Sequence, residues 1–176
     1  GPSPTPVVEA VRARLEYESY SGRTSTEVVE SGKAMRREAK EAVASLLNAS
    51  ADEVLLTENT TEGINVVLNG LRWESGDEVI TCDLEHGSIL LPLYHLKERY
   101  GVTPRVLTLR PDQPHGEIVS KVEEAVTDRT RMIFMSHIEY SSGLRMPIEA
   151  MGQLARQRGL LLLVDGAQAA GHIPID

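Results

Sequence analysis

Four short stretches of the sequence place polar, chemically active side chains directly after an apolar run. They are NTT at residues 59–61, EH at residues 85–86, SHIEY at residues 136–140 and DGAQ at residues 165–168. Apolar runs of this kind are typical of buried strands, and in parallel sheets ligands bind beyond the carboxyl ends of the strands. We therefore expect the four stretches to meet at one ligand site.

Asp165 is the most informative of these residues, because it ends the apolar run LLLLV at residues 160–164. A carboxylate at the tip of a buried strand needs a cation or several hydrogen bonds. A protonated pyridine nitrogen is one such cation, and keeping it protonated makes pyridoxal 5'-phosphate (PLP) an electron sink. The alternatives are an aspartate that binds Mg²⁺ and one that caps the next helix. Gly166 and Ala167 keep the following turn thin, and Gln168 can donate to an oxygen of a bound ring.

The first stretch has the features of an anion site. Asn59, Thr60 and Thr61 stand where a strand is expected to end and a helix to begin. Free N–H groups, hydroxyls and the positive end of the helix dipole would therefore lie together. A simple helix N-cap, with Glu62 in the first turn, explains the same residues without a ligand. Taken alone, this stretch favours the simple N-cap.

The second and third stretches carry imidazole and phenol side chains. His86 at the end of a strand can stack on a flat heteroaromatic ring or move protons. It can equally be a helix-start histidine that contacts a nearby carbonyl group. Ser136 and His137 close a strand, and Tyr140 can reach over the same edge of the sheet. Taken alone, the third stretch fits a polar loop after a buried strand best.

The elements that must position these residues alternate between strands and helices. This alternation predicts a mainly parallel sheet with helices on both faces, a three-layer α/β sandwich. Residues 5–20, with Thr5 as N-cap, and residues 34–47 have helical periodicity, so we assign 1–50 to a helical segment and 51–176 to the sheet domain. The last two strands are apolar enough to be covered on both faces. The predicted strands are 54–57, 78–83, 105–109, 131–137 and 160–165, and the helices between them are 61–71, 87–100, 117–126 and 147–158.

Composition and charge exclude several classes of protein. The 176 residues include 18 Lys+Arg and 26 Asp+Glu, a net charge of -8, which argues against nucleic acid or an anionic membrane as partner. No apolar segment approaches the roughly 18 residues of a membrane span, and the opening GPSPTP lacks the features of a signal peptide. Cys82 is the only cysteine. We expect it to be buried and unreactive, and the compartment to be the reducing cytoplasm.

The order of four motifs carries a family resemblance. NTTEGIN (59–65), EHGS (85–88), SHIEYSSG (136–143) and VDGAQAAGHIPID (164–176) together resemble the class V aminotransferase and cysteine desulfurase family. These are fold type I PLP-dependent enzymes, and the resemblance is strongest to the cysteine/cystine C–S lyase and isopenicillin-N-epimerase-like branches. It implies a PLP cofactor, an incomplete PLP-dependent transferase large domain, and a homodimer with active sites at the subunit interface.

The resemblance also implies roles for individual residues. Thr60 and Thr61 match the turn that binds the cofactor phosphate, and His86 matches the histidine that stacks on the pyridine ring. Asp165 matches the aspartate that pairs with the pyridine nitrogen, and Gln168 matches the glutamine that bonds the phenolic oxygen. The resemblance thus makes His86 and Asp165 catalytic as well as cofactor-binding residues.

Two departures from the family pattern bear on activity. Tyr140, a further expected cofactor contact, stands where the desulfurases usually carry an asparagine, which favours the C–S lyase and epimerase-like branches. The Schiff-base lysine of the family lies in a Ser-x-His-Lys motif downstream of VDGAQ, and the chain ends before it. We therefore expect a part of a longer protein that is inactive by itself. The lysines present, Lys33, Lys40, Lys97 and Lys121, lie upstream in helical, charged surroundings.

The resemblance predicts an enzyme that acts on an amino acid, with cleavage of the C–S bond of cysteine, cystine or a related compound as the leading reaction. Transamination and epimerisation are the nearest alternatives, because reaction type within one fold depends on the site. A non-catalytic module that binds a partner or a phosphate-bearing ligand is an alternative of a different class. A Rossmann-like nucleotide binder is disfavoured, since no GxGxxG motif follows the first strand.

Overall fold

The chain divides into two compact units. The computed structural model describes residues 2–175; one unit extends to Leu56 and the other covers Thr57–Ile175. Within residues 2–175, no helix is both long enough and apolar enough to cross a membrane. The first unit consists of α1 (Thr5–Ser21), α2 (Thr26–Leu46) and the 3₁₀ turn Ala51–Glu53.

The start of α1 differs from the sequence prediction. Pro4 rather than Thr5 is the N-cap, and its carbonyl oxygen accepts the N–H groups of Val7 and Val8. Thr5 already lies inside the helix, because Pro6 fixes a helical φ in the first turn.

The start of α2 was also predicted wrongly, since the helix begins at Thr26 instead of residue 34. Ser25 is the N-cap, and its Oγ accepts the N–H of Val28 at 3.3 Å. Glu27 in the first turn adds a favourable charge at the positive end of the helix. This serine and the acidic residue after it are a helix-start signal inside what otherwise has the composition of a loop.

The strand predicted at residues 54–57 was wrong. Val54 is extended, but its N–H bonds to the carbonyl oxygen of Ala51 at the end of the 3₁₀ turn. No strand among residues 2–175 pairs with this segment, and Leu55 is 67% exposed. An apolar run becomes a strand only where a neighbouring strand supplies the ladder of hydrogen bonds.

The second unit is a four-stranded parallel sheet with four helices. Its strands are β1 (Glu78–Cys82), β2 (Thr103–Leu107), β3 (Thr130–Ser136) and β4 (Leu161–Asp165). Its helices are α3 (Thr60–Gly70), α4 (Gly87–Tyr100), α5 (His115–Ala125) and α6 (Ile148–Arg158). The strand order is β2-β1-β3-β4 and all pairs are parallel, so the predicted alternation is confirmed from residue 60 onward. β2 begins at Thr103 instead of 105, because its Pro104 is tolerated in an edge strand.

Helices cover both faces of this sheet. On one face, α3 and α4 bury residues such as Leu68 against Phe134 of β3. On the other face, α5 and α6 bury residues such as Ile118 against Met135 of the same strand. Neighbouring residues of a strand point to opposite faces, so the apolar β3 supplies both cores. The predicted three-layer α/β sandwich is confirmed.

β4 lies at the edge of the described sheet and not at its centre, although Leu162 and Leu163 pack against the cores on its two faces. It pairs with β3 only among the described strands, and Leu161 is 45% exposed. Apolar content reports how well a strand tolerates burial, not how many neighbours it has. The pairing does align two carboxyl ends, because Ser136 of β3 is the register partner of Asp165 of β4.

Candidate functional site

The segments that follow β1, β3 and β4 and the N-termini of α3 and α4 surround a cavity of about 320 Å³. All six residues predicted to contact a cofactor line it. A neighbouring groove of about 480 Å³, along α3 and α4, shares Thr61, His86 and Ser88 with this cavity. The lining residues of the cavity are Asn59, Thr60, Thr61, His86, Ser88, Ser136, Ile138, Tyr140, Asp165, Ala167 and Gln168.

Asp165 presents a buried carboxylate to the cavity, and its side chain and backbone together are only 7% exposed. Oδ1 accepts the N–H of Ala167 at 2.9 Å, so one oxygen caps the following turn. Within residues 2–175, Oδ2 has no hydrogen-bond partner, and no lysine, arginine or histidine forms an ion pair with the carboxylate. The capping alternative therefore explains one oxygen and leaves the other for a cation.

A magnesium site is a poor explanation of Asp165. Mg²⁺ prefers six oxygen ligands and is usually held by one or two carboxylates together with phosphate groups and water. Among the lining residues of the cavity, Asp165 is the only acidic one. A single carboxylate among the lining residues fits an organic ligand with one positive charge better than a bare divalent ion.

The N-terminus of α3 opens into the same cavity. Oδ1 of Asn59 accepts the N–H of Glu62 at 2.9 Å, and the Glu62 carboxylate accepts the N–H of Glu58 at 2.6 Å. The N–H groups of Thr60 and Thr61 have no acceptor among the described residues. The two interpretations of this stretch are therefore compatible: Asn59 caps the helix, and two N–H groups and two hydroxyls remain for an anion.

His86 is both the N-cap of α4 and a wall of the cavity. Its Nδ1 accepts the N–H of Ser88 at 3.1 Å and lies 2.9 Å from the Ser88 hydroxyl. The ring thus contacts an N–H group and not the predicted carbonyl, and an accepting Nδ1 leaves Nε2 to carry the proton. Tyr140 meets the imidazole edge-on, with ring centroids 4.8 Å apart and an interplanar angle of 86°. Two neighbours therefore fix the orientation of the imidazole.

A layer of buried acidic and thiol groups lies next to the cavity wall. Glu85 accepts both hydrogen bonds that Ser136 can donate, the N–H to Oε1 at 2.8 Å and the hydroxyl to Oε2 at 2.5 Å. Sγ of Cys82 lies 3.6 Å from Oε1 of Glu139 and 3.8 Å from Oε1 of Glu85. Oε2 of Glu139 is buried and has no hydrogen-bond partner among residues 2–175. We call Cys82, Glu85, Ser136 and Glu139 the acid cluster.

Burial shifts every titratable group of the acid cluster toward its protonated form. It raises the pKa of Glu139 to about 8, with a further rise from the charge of Glu85. It also raises the pKa of Glu85, against the opposing effect of the Ser136 hydrogen bonds. The pKa of the Cys82 thiol rises because of burial first and the two carboxylates second. The expected burial of Cys82 is confirmed, and a thiol in these surroundings is a poor nucleophile.

Other ionisable residues of the sheet unit lie away from the cavity lining. His137 is half-buried, and burial together with the charge of Arg145 lowers its pKa. Lys97 and Lys121 do not line the cavity, and Nζ of Lys121 donates to the carbonyl oxygen of Thr108 at 2.9 Å.

None of the four residues of the acid cluster was among the predicted site residues. A usable signal existed, since Glu85 and Glu139 each follow closely after a buried strand. β1 and β3 are neighbours in the sheet, so carboxylates just beyond their carboxyl ends come close together. That neighbour relation is not evident before the strand order is known.

The whole chain matches one known family. The aminotransferase class-V family profile matches residues 1–176. The chain belongs to the aminotransferase class-V family. The predicted membership is confirmed.

Relatives of this class-V chain include enzymes of sulfur metabolism. It is 38% identical over 176 residues to a probable cysteine desulfurase of Methanothermobacter thermautotrophicus, covering 99% of this chain and 43% of that protein. The structure of the cystine C–S lyase C-DES with its reaction product cysteine persulfide matches with a TM-score of 0.93 at 28% identity, covering 98% of this chain and 46% of that one. A C-DES mutant with glycine covalently linked to its PLP cofactor matches with a TM-score of 0.92 at the same identity and coverage.

These matches confirm the predicted fold type I large domain. The class-V chain spans less than half the length of these three relatives.

Proposed function

We propose that the complete protein is a PLP-dependent enzyme that cleaves the C–S bond of cysteine, cystine or a related amino acid. The observation that carries the proposal is Asp165, a buried carboxylate that lines the cavity with one oxygen lacking a hydrogen bond. Support for the reaction comes from the relatives, which include a probable cysteine desulfurase and a cystine C–S lyase.

The cavity fits PLP at its phosphate end. Its volume of about 320 Å³ falls in the range of roughly 300–1,000 Å³ that small-molecule sites occupy. Thr60 and Thr61 would bind the phosphate with their N–H groups and hydroxyls, at the positive end of the α3 dipole. The nearby carboxylate of Glu62 accepts the N–H of Glu58. This hydrogen bond partly offsets the negative charge of Glu62, which would otherwise repel the phosphate.

The remaining cofactor contacts would come from four other lining residues. Asp165 would accept the hydrogen bond of the protonated ring nitrogen, and Gln168 would donate to the phenolic oxygen. His86 would stack on the ring, in the orientation that Ser88 and Tyr140 impose. The Asp165 and Gln168 assignments use side-chain atoms that form no hydrogen bond within residues 2–175.

The chemistry of the proposal is that of an electron sink. When bound, PLP stabilises negative charge that develops at the α-carbon of an amino acid. The residues of this chain would support that chemistry by two means. Asp165 opposes the loss of the positive charge on the ring nitrogen, and Nε2 of His86, with Nδ1 engaged as a helix cap, can hold or deliver a proton.

A second candidate function is transamination or epimerisation within the same family. The feature that favours it is Tyr140, since the replacement of the desulfurases' asparagine at this position resembles the epimerase-like branch as well as the C–S lyases. Tyr140 is 56% exposed and contacts His86, so it can influence the substrate without altering the wall around Asp165.

We also propose that the complete protein is a cytoplasmic homodimer. The helices beside the cavity expose apolar side chains, including Val66, Val67 and Leu91. Such surface is more stable when a second copy of the chain covers it. The free, buried thiol of Cys82 is consistent with a reducing compartment.

Reconstitution of the complete protein with PLP tests the proposed function. We expect a visible absorbance band from bound cofactor and release of sulfur, as sulfide or persulfide, from L-cysteine or L-cystine. L-Alanine with a keto-acid acceptor is the control substrate for amino-group exchange. Sulfur release supports C–S cleavage, exchange alone supports the second candidate, and a protein that binds no PLP contradicts both.

A further inference from the structure

The acid cluster places two carboxyl groups together in the interior beside Asp165. Glu85 is 4% exposed and Glu139 only 1%. One carboxylate oxygen from each glutamate and Sγ of Cys82 lie within 4.8 Å of one another. Two buried carboxylates at this separation cannot both be ionised at neutral pH without a large cost in free energy, so the pair retains a proton.

Hydrogen-bond geometry decides which of the two carries the charge. Both oxygens of Glu85 are acceptors, since Ser136 donates to each of them. A carboxyl group that accepts through both oxygens has the pattern of an ionised carboxylate. Glu85 is therefore the charged member of the pair.

Glu139 has the opposite pattern. Its Oε2 has no hydrogen-bond partner in the described part of the chain, and its Oε1 has only the weak donor Sγ of Cys82 at 3.6 Å. A protonated carboxyl group in this position can donate its O–H to the charged Glu85 and so satisfy both groups. Glu139 is therefore the protonated member of the pair.

The pair is connected to Asp165 through the end of β3. Glu85 holds Ser136, and Ser136 is the register partner of Asp165. The next residue, His137, donates its N–H to the carbonyl oxygen of Asp165 at 2.8 Å. The position and the electrostatic surroundings of Asp165 thus depend on the acid cluster.

We propose that Glu139 is a positioning residue that holds a proton at neutral pH and thereby sets the negative charge beside Asp165. The inference rests on the proposed function, because Asp165 is the residue assigned to the cofactor ring nitrogen. With Glu139 protonated, Glu85 carries the negative charge of the acid cluster beside Asp165. Ionisation of Glu139 adds a further negative charge, which strengthens the attraction of this wall for a positive charge in the cavity.

The titratable groups that face Glu139 are Cys82 from β1, Glu85 from the segment after β1, and Asp165 from the end of β4. The charges of Glu85 and Asp165 favour the protonated form of Glu139, whereas the hydrogen bond from Cys82 opposes it. No lysine or arginine in residues 2–175 forms an ion pair with Glu139. Burial and these charges raise the pKa of Glu139 to about 8, which agrees with the assignment from hydrogen bonds.

A first experiment measures the proton directly. The complete protein, free of PLP, is labelled with ¹³C at the side-chain carboxyl carbon of glutamate and titrated by NMR from about pH 6 to about pH 10, where ordinary glutamates do not titrate. We expect one signal to titrate near pH 8 in the wild type and in E124Q, since Glu124 is exposed on α5 and does not line the cavity. The signal should be missing in E139Q, and in E85Q it should titrate at lower pH.

A second experiment reads the effect at the cofactor. PLP labelled with ¹⁵N in the ring is bound to the complete protein, and the ring nitrogen is followed by NMR over the same pH range. In the wild type and E124Q, the ring nitrogen should stay protonated to higher pH, because the charge that Glu139 gains as it ionises opposes loss of the ring proton. In E139Q the ring nitrogen should lose its proton at lower pH, because glutamine stays neutral at every pH.

The outcomes separate the inference from the proposed function. If no PLP binds, the proposed function fails and the inference falls with it. If PLP binds but no glutamate titrates near pH 8, or if the ring signal behaves alike in wild type and E139Q, the inference alone is overturned. One equivalent of tightly bound metal in the purified wild type would also overturn it, since a metal ion would replace the proton. Should E139Q not fold, the wild-type titration and its shift in E85Q still decide the first experiment.

Discussion

The ring of Tyr140 meets the ring of His86 edge-on, with centroids 4.8 Å apart, while Nδ1 of His86 accepts the N–H of Ser88 at 3.1 Å. The imidazole is therefore held by one aromatic neighbour and one helix end. A group fixed in this way can serve as a flat wall for a ligand with little loss of conformational freedom on binding.

Two substitutions at His86 separate its roles as helix cap and as cavity wall. We expect H86A to shift the visible spectrum of bound PLP and to cost about 1 kcal/mol of stability through loss of the cap. H86N should shift the spectrum as well but retain most of the stability, because an asparagine oxygen can accept the Ser88 N–H. Absorbance spectra and thermal melts of the complete protein measure the two effects. An unchanged spectrum in both variants would argue against stacking.

Asp165 should be required for turnover but not for folding. We expect D165A to lower kcat by about two orders of magnitude or more, since a preorganised electrostatic partner is commonly worth that much. The fold should survive, because the only side-chain hydrogen bond lost is the one from Ala167. Steady-state kinetics and circular dichroism check this, with E124Q as a matched control. Full activity in D165A would rule out the proposed role.

Stability should depend on pH through Glu139. Its pKa rises from an ordinary 4.5 to about 8 on folding, so its contribution to stability is complete below pH 4.5 and is lost as pH rises through about 8. The free energy of unfolding should fall over this interval by up to about 1.4 kcal/mol per pH unit from this one group. In E139Q that part of the slope should be absent. Urea melts of both proteins at matched pH values provide the measurement, and identical slopes would contradict the prediction.

Cys82 should resist thiol reagents in the native protein. It is fully buried as the last residue of β1, and burial raises the pKa of its thiol. We expect negligible modification of Cys82 by iodoacetamide under native conditions and complete modification in denaturant, measured by mass spectrometry of the peptide that contains it. Rapid native labelling would show that this end of the sheet opens readily.

Much of the architecture was accessible from local patterns. The apolar runs at β1, β3 and β4 and the helical periodicity between them predict a parallel α/β sandwich, because side-chain period and burial are properties of the local sequence. The helix starts were less accessible. Ser25 and Pro4 determine where α2 and α1 begin, and a single capping residue is easily missed in a polar stretch.

The polar residues at the ends of the strands identified the place of the site for a physical reason. Parallel strands align their carboxyl ends at one edge, so His86, Tyr140 and Asp165 lie there although they are far apart in the chain. Thr60 lines the same cavity from the N-terminus of α3, without a strand before it. The family motifs then supplied an expected role for each of them.

Only the tertiary structure determined which carboxyl groups form a buried pair and which strand lies at the edge of the described sheet. Glu85 and Glu139 are 54 positions apart by their numbers and become one buried pair only because β1 and β3 are neighbours. In the same way, an apolar composition could not tell that β4 has one partner among the described strands while β3 has two. Sequence determines what each side chain can do, and strand order determines which side chains act on one another, because electrostatic and hydrogen-bond energies depend on distance in space.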